Sequence, residues 1–209
     1  YNDYAVHVPA PGNPGAGGAI AYRHERPLGT QLVLQDARKF RFGAAGASTL
    51  VVGDALVAGV ATASQQNLTP AAGAADARII TLTTGAASAI NLFAEGFVII
   101  SVTPGGGDTY KVAGHLLMTA GAGDIVNLAP GHRLRRALTT TSRVDLIPNP
   151  YFALIQSPAT TVASCPMGAA ISAPLTLRAC WVQTRGPCGM LTSGTAIAVA
   201  ALGSATGNI

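Results

Sequence analysis

The sequence predicts an all-β protein, a sandwich or barrel of short antiparallel strands with an extended N-terminal arm. The 25 Gly and 13 Pro among 209 residues favour frequent turns. Short runs of β-branched and apolar residues recur at the spacing of about 8–12 residues that is typical of sandwiches and barrels. No stretch shows the 3.6-residue apolar period of a long amphipathic helix.

The first element is the arm, which we assign to residues 1–27. Its centre, residues 9–18, is so rich in Pro and Gly that a helix or a central strand is excluded. The arm is also too apolar for a typical solvated tail. We therefore expect it to lie extended across a neighbouring subunit, with a floppy tail of no functional consequence as the alternative. Its aromatic and aliphatic residues are our first contact candidates: Tyr1, Tyr4, Val6, Val8, Ile20 and Tyr22.

Residues 28–209 are predicted to form a β-rich domain, with two subdomains divided near residues 156–165 as an alternative. A hairpin is predicted from Gln31–Leu34 and Arg38–Phe42, with the two phenylalanines on one face and the basic residues on the other. Residues 61–77 are interpreted as a loop. Further strands are predicted at 49–52, 55–58, 78–84, 96–102 (a buried run), 109–112, 124–128, 142–147, 151–155, 169–172, 175–177, 180–183 and 196–199.

The surface is predicted to be poor in charge and suited to packing against neighbours. Charged residues make up 11% of the chain, against about 25% in an average globular protein, and the net charge is +4. The basic residues are too dispersed for direct nucleic-acid binding, so an acidic protein partner is preferred. One cluster supplies the candidates Arg133, Arg135 and Arg136, whose guanidinium groups suit bidentate pairing with carboxylates. The alternative is a solvated face with local ion pairs.

No pattern predicts an enzyme, a cofactor site or a metal site. We expect the chain to have no catalytic activity and to bind no cofactor or metal. The sequence contains no HExxH, GxSxG or phosphate-loop motif. His115 and His132 could meet in the folded chain, but satisfied or exposed histidines are the favoured interpretation. Cys165, Cys180 and Cys188 are interpreted as free thiols of a reducing compartment, although a bridge between the last two stays open. No apolar run of 18 residues predicts a membrane span, so no membrane partner is expected.

Four stretches carry a resemblance to a known family: Pro27–Phe42, Gly96–His115, Thr141–Pro150, and Trp181–Pro187 followed by Gly194–Val199. Together they resemble the decoration proteins of tailed bacteriophages, also called cement or head-stabilising proteins. The resemblance implies a virion structural protein that is made in the bacterial host cytoplasm and binds the outer capsid surface. It also implies the major capsid protein as partner and a homo-oligomer, with a trimer favoured.

Two other functions are kept as alternatives. One is a different phage virion component, such as a head fibre base or a tail protein. The other is a glycan-binding β-sandwich, which would need a surface cluster of aromatic residues. The chain has one Trp, and we expect Trp181 to lie in the core rather than in such a cluster.

Overall fold

The computed structural model describes residues 26–59, 63–157 and 165–191. Within these ranges the chain is all-β, without an α-helix, which confirms the predicted fold class. One 3-10 turn (Ala63–Gln65) accompanies twelve strands: β1 (Gln31–Val33), β2 (Lys39–Ala44), β3 (Ala55–Val57), β4 (Thr69–Ala72), β5 (Ile79–Thr84), β6 (Phe97–Val102), β7 (Thr109–His115), β8 (Gly121–Leu128), β9 (Arg143–Ile147), β10 (Ile155–Gln156), β11 (Pro166–Ala170) and β12 (Ala179–Arg185). None of the described segments is a helix of the length and hydropathy needed to cross a membrane.

The described chain divides into two compact units. The first contains residues 26–59, 150–157 and 165–191, and the second contains residues 63–149. The divisions therefore fall near residues 60 and 150, and not near 156–165. The reason is that β10, β11 and β12 return to pair with β2 and β3, the strands that precede the second unit in the chain.

The first unit is built on one six-stranded sheet in the order β1-β2-β12-β11-β3-β10. The predicted hairpin is confirmed: β1 and β2 pair in antiparallel fashion, with Leu32 opposite Phe40. Phe40 and Phe42 are buried, whereas Lys39 and Arg41 lie half-buried on the other face. The apolar core contains two clusters of buried residues: Ala45, Leu50, Leu56, Leu154, Met167, Ala170, Cys180 and Val182, and then Leu28, Phe42 and Ala44.

The second unit is a six-stranded sheet in the order β4-β5-β8-β7-β6-β9. An isolated bridge between Leu68 and Val144 joins the segment before β4 to β9, so the sheet curls until its two edges meet. The concave side encloses the largest core cluster: Leu68, Ile80, Leu82, Phe93, Val98, Ile100, Tyr110, Val112, Met118, Val126, Leu128, Leu134, Leu138, Val144 and Leu146. Val98 and Ile100 of β6 are buried on this side, Phe97 and Ile99 are half-buried, and Ser101 and Val102 are exposed, so the predicted buried run is confirmed only for the first four residues of the strand.

Two predicted strands are turns. In residues 49–52 the N–H of Val51 donates to Asp54 Oδ2 at 2.8 Å, and the N–H of Asp54 donates to the Val51 carbonyl at 3.1 Å. An aspartate side chain that accepts from the N–H of the third residue before it stabilises a turn and overrides the β propensity of the valines. In residues 175–177 the N–H of Arg178 donates to the Leu175 carbonyl at 3.2 Å, which also makes a turn.

One strand lies inside the predicted loop 61–77. β4 contains Pro70, and its only ladder partner among the described strands is β5. Proline lacks the N–H that a central strand needs, but it is tolerated on an edge strand. The proline therefore signals an edge position here. The predicted strand 196–199 lies outside the described residues.

Candidate interaction surfaces

The arm candidates Tyr1, Tyr4, Val6, Val8, Ile20 and Tyr22 all lie outside the described residues. Their assignment as contact residues stays a prediction. The described part of the chain offers three surfaces for an interaction: an arginine segment and an apolar patch on the second unit, and an open strand edge on the first.

The arginine segment, residues 133–136, lies across the end of the second unit where β5 begins. Leu134 is fully buried in the core of this unit. Its N–H donates to the Ala77 carbonyl at 3.0 Å, and its carbonyl accepts from the N–H of Asp76 at 2.8 Å. Because Leu134 is fixed inward by packing and by two backbone hydrogen bonds, Arg133, Arg135 and Arg136 are held exposed on the outside.

The arginine side chains make few contacts within the described chain. One N–H group of Arg133 donates to the Asp76 carbonyl at 2.9 Å. Arg135 Nη1 lies 3.5 Å from Asp108 Oδ1 while its side chain is 78% exposed. An exposed pair of this length contributes at most about 1 kcal/mol. Local ion pairing therefore accounts for little of the segment, and most of its N–H donors face solvent.

A tyrosine positions the backbone of this segment. The hydroxyl of Tyr110 donates to Asp108 Oδ2 at 3.1 Å and accepts from the N–H of Arg135 at 3.0 Å. Burial raises the pKa of Tyr110 above its usual value, so the hydroxyl stays protonated at neutral pH. The backbone of the arginine segment is thus anchored to the second unit at both Leu134 and Arg135.

The outer patch, which we define as Ile79, Thr81, Leu116 and Ile125, lies on the convex side of the second unit. Thr81 is the ladder partner of Ile125, and Leu116 directly follows His115, whose ladder partner is Val126. Ile79, Leu116 and Ile125 are 49%, 73% and 45% exposed, and the patch contains no charged residue. The sequence prediction missed this surface. Its only signal was an apolar residue on the outward side of the alternating strands β5 and β8.

The open strand edge belongs to β1. All three residues of β1 are exposed, and three consecutive apolar residues, Leu32, Val33 and Leu34, are 40%, 52% and 37% exposed. Within the described chain β1 pairs with β2 only. No described strand therefore pairs with the backbone N–H and C=O groups of its other edge.

His115 is buried but is fully engaged in structural hydrogen bonds. Its Nε2 accepts from the N–H of Phe93 at 3.0 Å, and its Nδ1 lies 2.7 Å from the Leu116 carbonyl, to which it must donate. Burial lowers the pKa of His115, which keeps the ring neutral, although nearby Asp124 acts in the opposite direction. Both ring nitrogens are used, so this histidine has no free lone pair for a metal or a proton transfer.

The structure does not bring the two histidines together. Nδ1 of His132 lies 3.5 Å from the N–H of Lys111, whereas His115 ends β7, four residues further along that strand. At about 3.3 Å per residue this separates the two sites by roughly 13 Å. Among the described residues, no three His, Cys, Asp or Glu side chains lie close enough together to hold a metal ion.

The three cysteines are free thiols, so Cys180 and Cys188 are not bridged. Cys165 is exposed and Cys188 is half-buried. Burial raises the pKa of Cys180 to about 11, which makes its thiol unreactive at neutral pH. Trp181 is partly buried and packs edge-on against Phe42 with the ring centres 5.3 Å apart, at the margin of the core of the first unit.

Comparison of the chain with known protein families, curated proteins and solved structures finds no match.

Proposed function

We propose that this chain is a virion structural protein that binds the outer capsid surface of a tailed bacteriophage. There it stabilises contacts between subunits of the major capsid protein. The proposal assigns the chain no catalytic residue, cofactor or metal, and it places the protein on the capsid surface after synthesis in the host cytoplasm.

The observation that carries the proposal is the outer patch, together with the arginine segment of the same unit. Three large apolar side chains are exposed on one sheet, and Arg133 donates to the carbonyl of Asp76, which precedes β5 by three residues. Protein interfaces typically combine an apolar centre with arginines and a polar rim. A protein partner with an apolar strip and carboxylates beside it fits this arrangement better than a small molecule does, because the surface is convex.

The physical task of such a protein needs surface contact and no chemistry. A stable interface buries on the order of 1,600 Å², and capsid symmetry repeats the contact many times. Several weak attachments on one rigid lattice then add by avidity. The arm, if it adds a strand to an exposed sheet edge of the capsid protein, extends the same contact.

The first test is the amount of the chain on intact particles. Particles from the biological source of the chain are purified on a density gradient, and the ratio of the chain to the major capsid protein is measured by quantitative mass spectrometry. A fixed ratio of about one copy per capsid subunit or per few subunits is expected for repeated surface attachment. A few copies per particle would instead indicate a fibre base or tail protein, and absence from intact particles would refute the proposal.

The second test is rebinding of variants to particles stripped of the chain. Ile125→Lys introduces a charge into the centre of the outer patch and is expected to weaken binding at least tenfold. Leu175→Lys is the matched control, because Leu175 is an exposed leucine on a turn of the first unit and outside the patch. Equal binding by both variants would show that the outer patch does not attach the protein.

A further inference from the structure

The open edge of β1 has a defined hydrogen-bonding pattern. The N–H of Phe42 donates to the Thr30 carbonyl at 2.9 Å, and the N–H of Leu34 donates to the Arg38 carbonyl at 3.0 Å. In an antiparallel strand, alternate residues direct their N–H and C=O groups to the same side. The carbonyl of Thr30, both groups of Leu32 and the N–H of Leu34 therefore face β2, whereas the N–H of Thr30 donates to the Pro27 carbonyl at 3.1 Å.

The residues between them have the opposite orientation. The N–H and C=O groups of Gln31 and Val33 point away from β2, to the edge that no described strand covers. These two residues flank Leu32 symmetrically. A second β1 strand could run antiparallel to this edge, with its Val33 opposite Gln31 and its Leu32 opposite Leu32 on a two-fold axis. In this register the N–H and C=O groups of Gln31 and Val33 in both strands would all be hydrogen-bonded.

We propose that β1 pairs with β1 of a second copy of this chain, in antiparallel register about Leu32. Each Gln31–Val33 pair exchanges two hydrogen bonds, so the two-fold contact has four. The central leucines form a non-hydrogen-bonded pair, in which side chains approach most closely. Leu32 and Leu34 lie on the same face and extend this apolar contact on both sides of the axis.

The charge pattern permits self-pairing. Residues 31–35 contain no charge, and natural sheet edges that resist pairing usually carry charges or proline there. On the other face of the sheet, Lys39 lies opposite Val33, and Arg41 lies opposite Gln31 in each copy. Because Val33 of one copy pairs with Gln31 of the second, Lys39 of the first copy is in line with Arg41 of the second. These like charges are three strand spacings apart, roughly 14 Å, which exceeds the Debye length of about 8 Å at physiological salt. Their repulsion is therefore largely screened.

The contact is small, so the dimer should be weak. Pairing of strands this short falls well below the 1,200 Å² or so that a stable interface buries. We expect dissociation in the micromolar to submillimolar range, with monomers in dilute solution.

The test is sedimentation velocity of the full chain from about 1 to about 300 µM, with two variants of Val33. Val33→Pro removes an outward N–H and leaves every β1–β2 hydrogen bond in place, because proline is tolerated at such an edge position. Val33→Thr keeps both the N–H and the branched shape and is the matched control. We expect the wild type and Val33→Thr to dimerise, and Val33→Pro to raise the dissociation constant at least tenfold while its circular dichroism spectrum stays that of the wild type.

A charge exchange tests the register. Leu32→Lys and Leu32→Glu each place like charges on the two-fold axis, so each is expected to stay monomeric. An equimolar mixture places opposite charges there and is expected to dimerise. A wild type that is monomeric throughout, an association unaffected by Val33→Pro, or a mixture that stays monomeric would each overturn the proposal. None of these results depends on capsid binding, so the two proposals can fail separately.

Discussion

Leu134 should determine whether the arginine segment keeps its position, and Leu134→Ala tests how much this buried side chain stabilises the second unit. The substitution removes three carbon groups from a fully buried side chain. At about 0.8 kcal/mol for each group, the transfer term alone is about 2.4 kcal/mol.

The surrounding backbone should prevent collapse into the cavity and so increase this cost. A methyl group built on Gly73 would lie 3.1 Å from Leu134 Cδ1, which shows that the leucine packs directly on the backbone there. That backbone is held by the N–H of Leu138, which donates to the Gly73 carbonyl at 2.7 Å. Partial relaxation leaves a cavity penalty, and we expect a total loss of about 3 kcal/mol in the free energy of unfolding.

The assay is urea unfolding followed by circular dichroism, with hydrogen exchange of peptides from β5 and β8 to localise the loss. Arg135→Ala is the control from the same segment. Its side chain is 78% exposed and its ion pair is 3.5 Å long, so a change within about 0.5 kcal/mol is expected. A loss below about 1 kcal/mol for Leu134→Ala, or an equal loss for Arg135→Ala, would refute the reasoning.

Three further predictions concern single residues. His115→Gln should reduce the loss of stability that occurs as the pH decreases from about 7 to about 5. Burial lowers the pKa of His115, so the unfolded chain binds more protons than the folded chain and the wild type loses stability as the pH decreases. Equal slopes of unfolding free energy against pH in both proteins would contradict this. Gly168→Ala should lower the free energy of unfolding in urea by more than about 2 kcal/mol, because Gly168 has φ +134° and a Cβ would collide with the Gln183 carbonyl. A decrease below about 1 kcal/mol would argue against strain at this bulge. Maleimide should label Cys165 in the native protein and Cys180 only after denaturation, as read by peptide mass spectrometry, and equal labelling rates would show that Cys180 is not buried.

Some of the fold follows from local sequence pattern. The hairpin of β1 and β2 was predictable because Phe40 and Phe42 alternate with basic residues, and this period of two is a property of neighbouring residues. Residues 49–52 were not predictable as a turn, because their β propensity competes with a hydrogen bond from the Val51 N–H to the Asp54 carboxylate that only the folded turn reveals.

Of the candidate surfaces, one could be predicted from the sequence and two could not. The exposed arginines were predictable from charge alone, because guanidinium groups are rarely buried. The outer patch was not, since an apolar residue such as Ile125 is expected inside, and it is the curl of the sheet that places Val126 in the core and Ile125 outside. The open edge of β1 likewise depends on the strand order.

The sequence by itself determined the all-β class and the position of most strands, because alternation and turn residues act over a few positions in the chain. Only the tertiary structure decided that residues 63–149 form a unit of their own, that β12 lies between β2 and β11, and which apolar residues stay exposed. These features depend on pairings between residues that are distant in sequence. Such pairings are selected by packing and loop closure over the whole chain, and no local pattern encodes them.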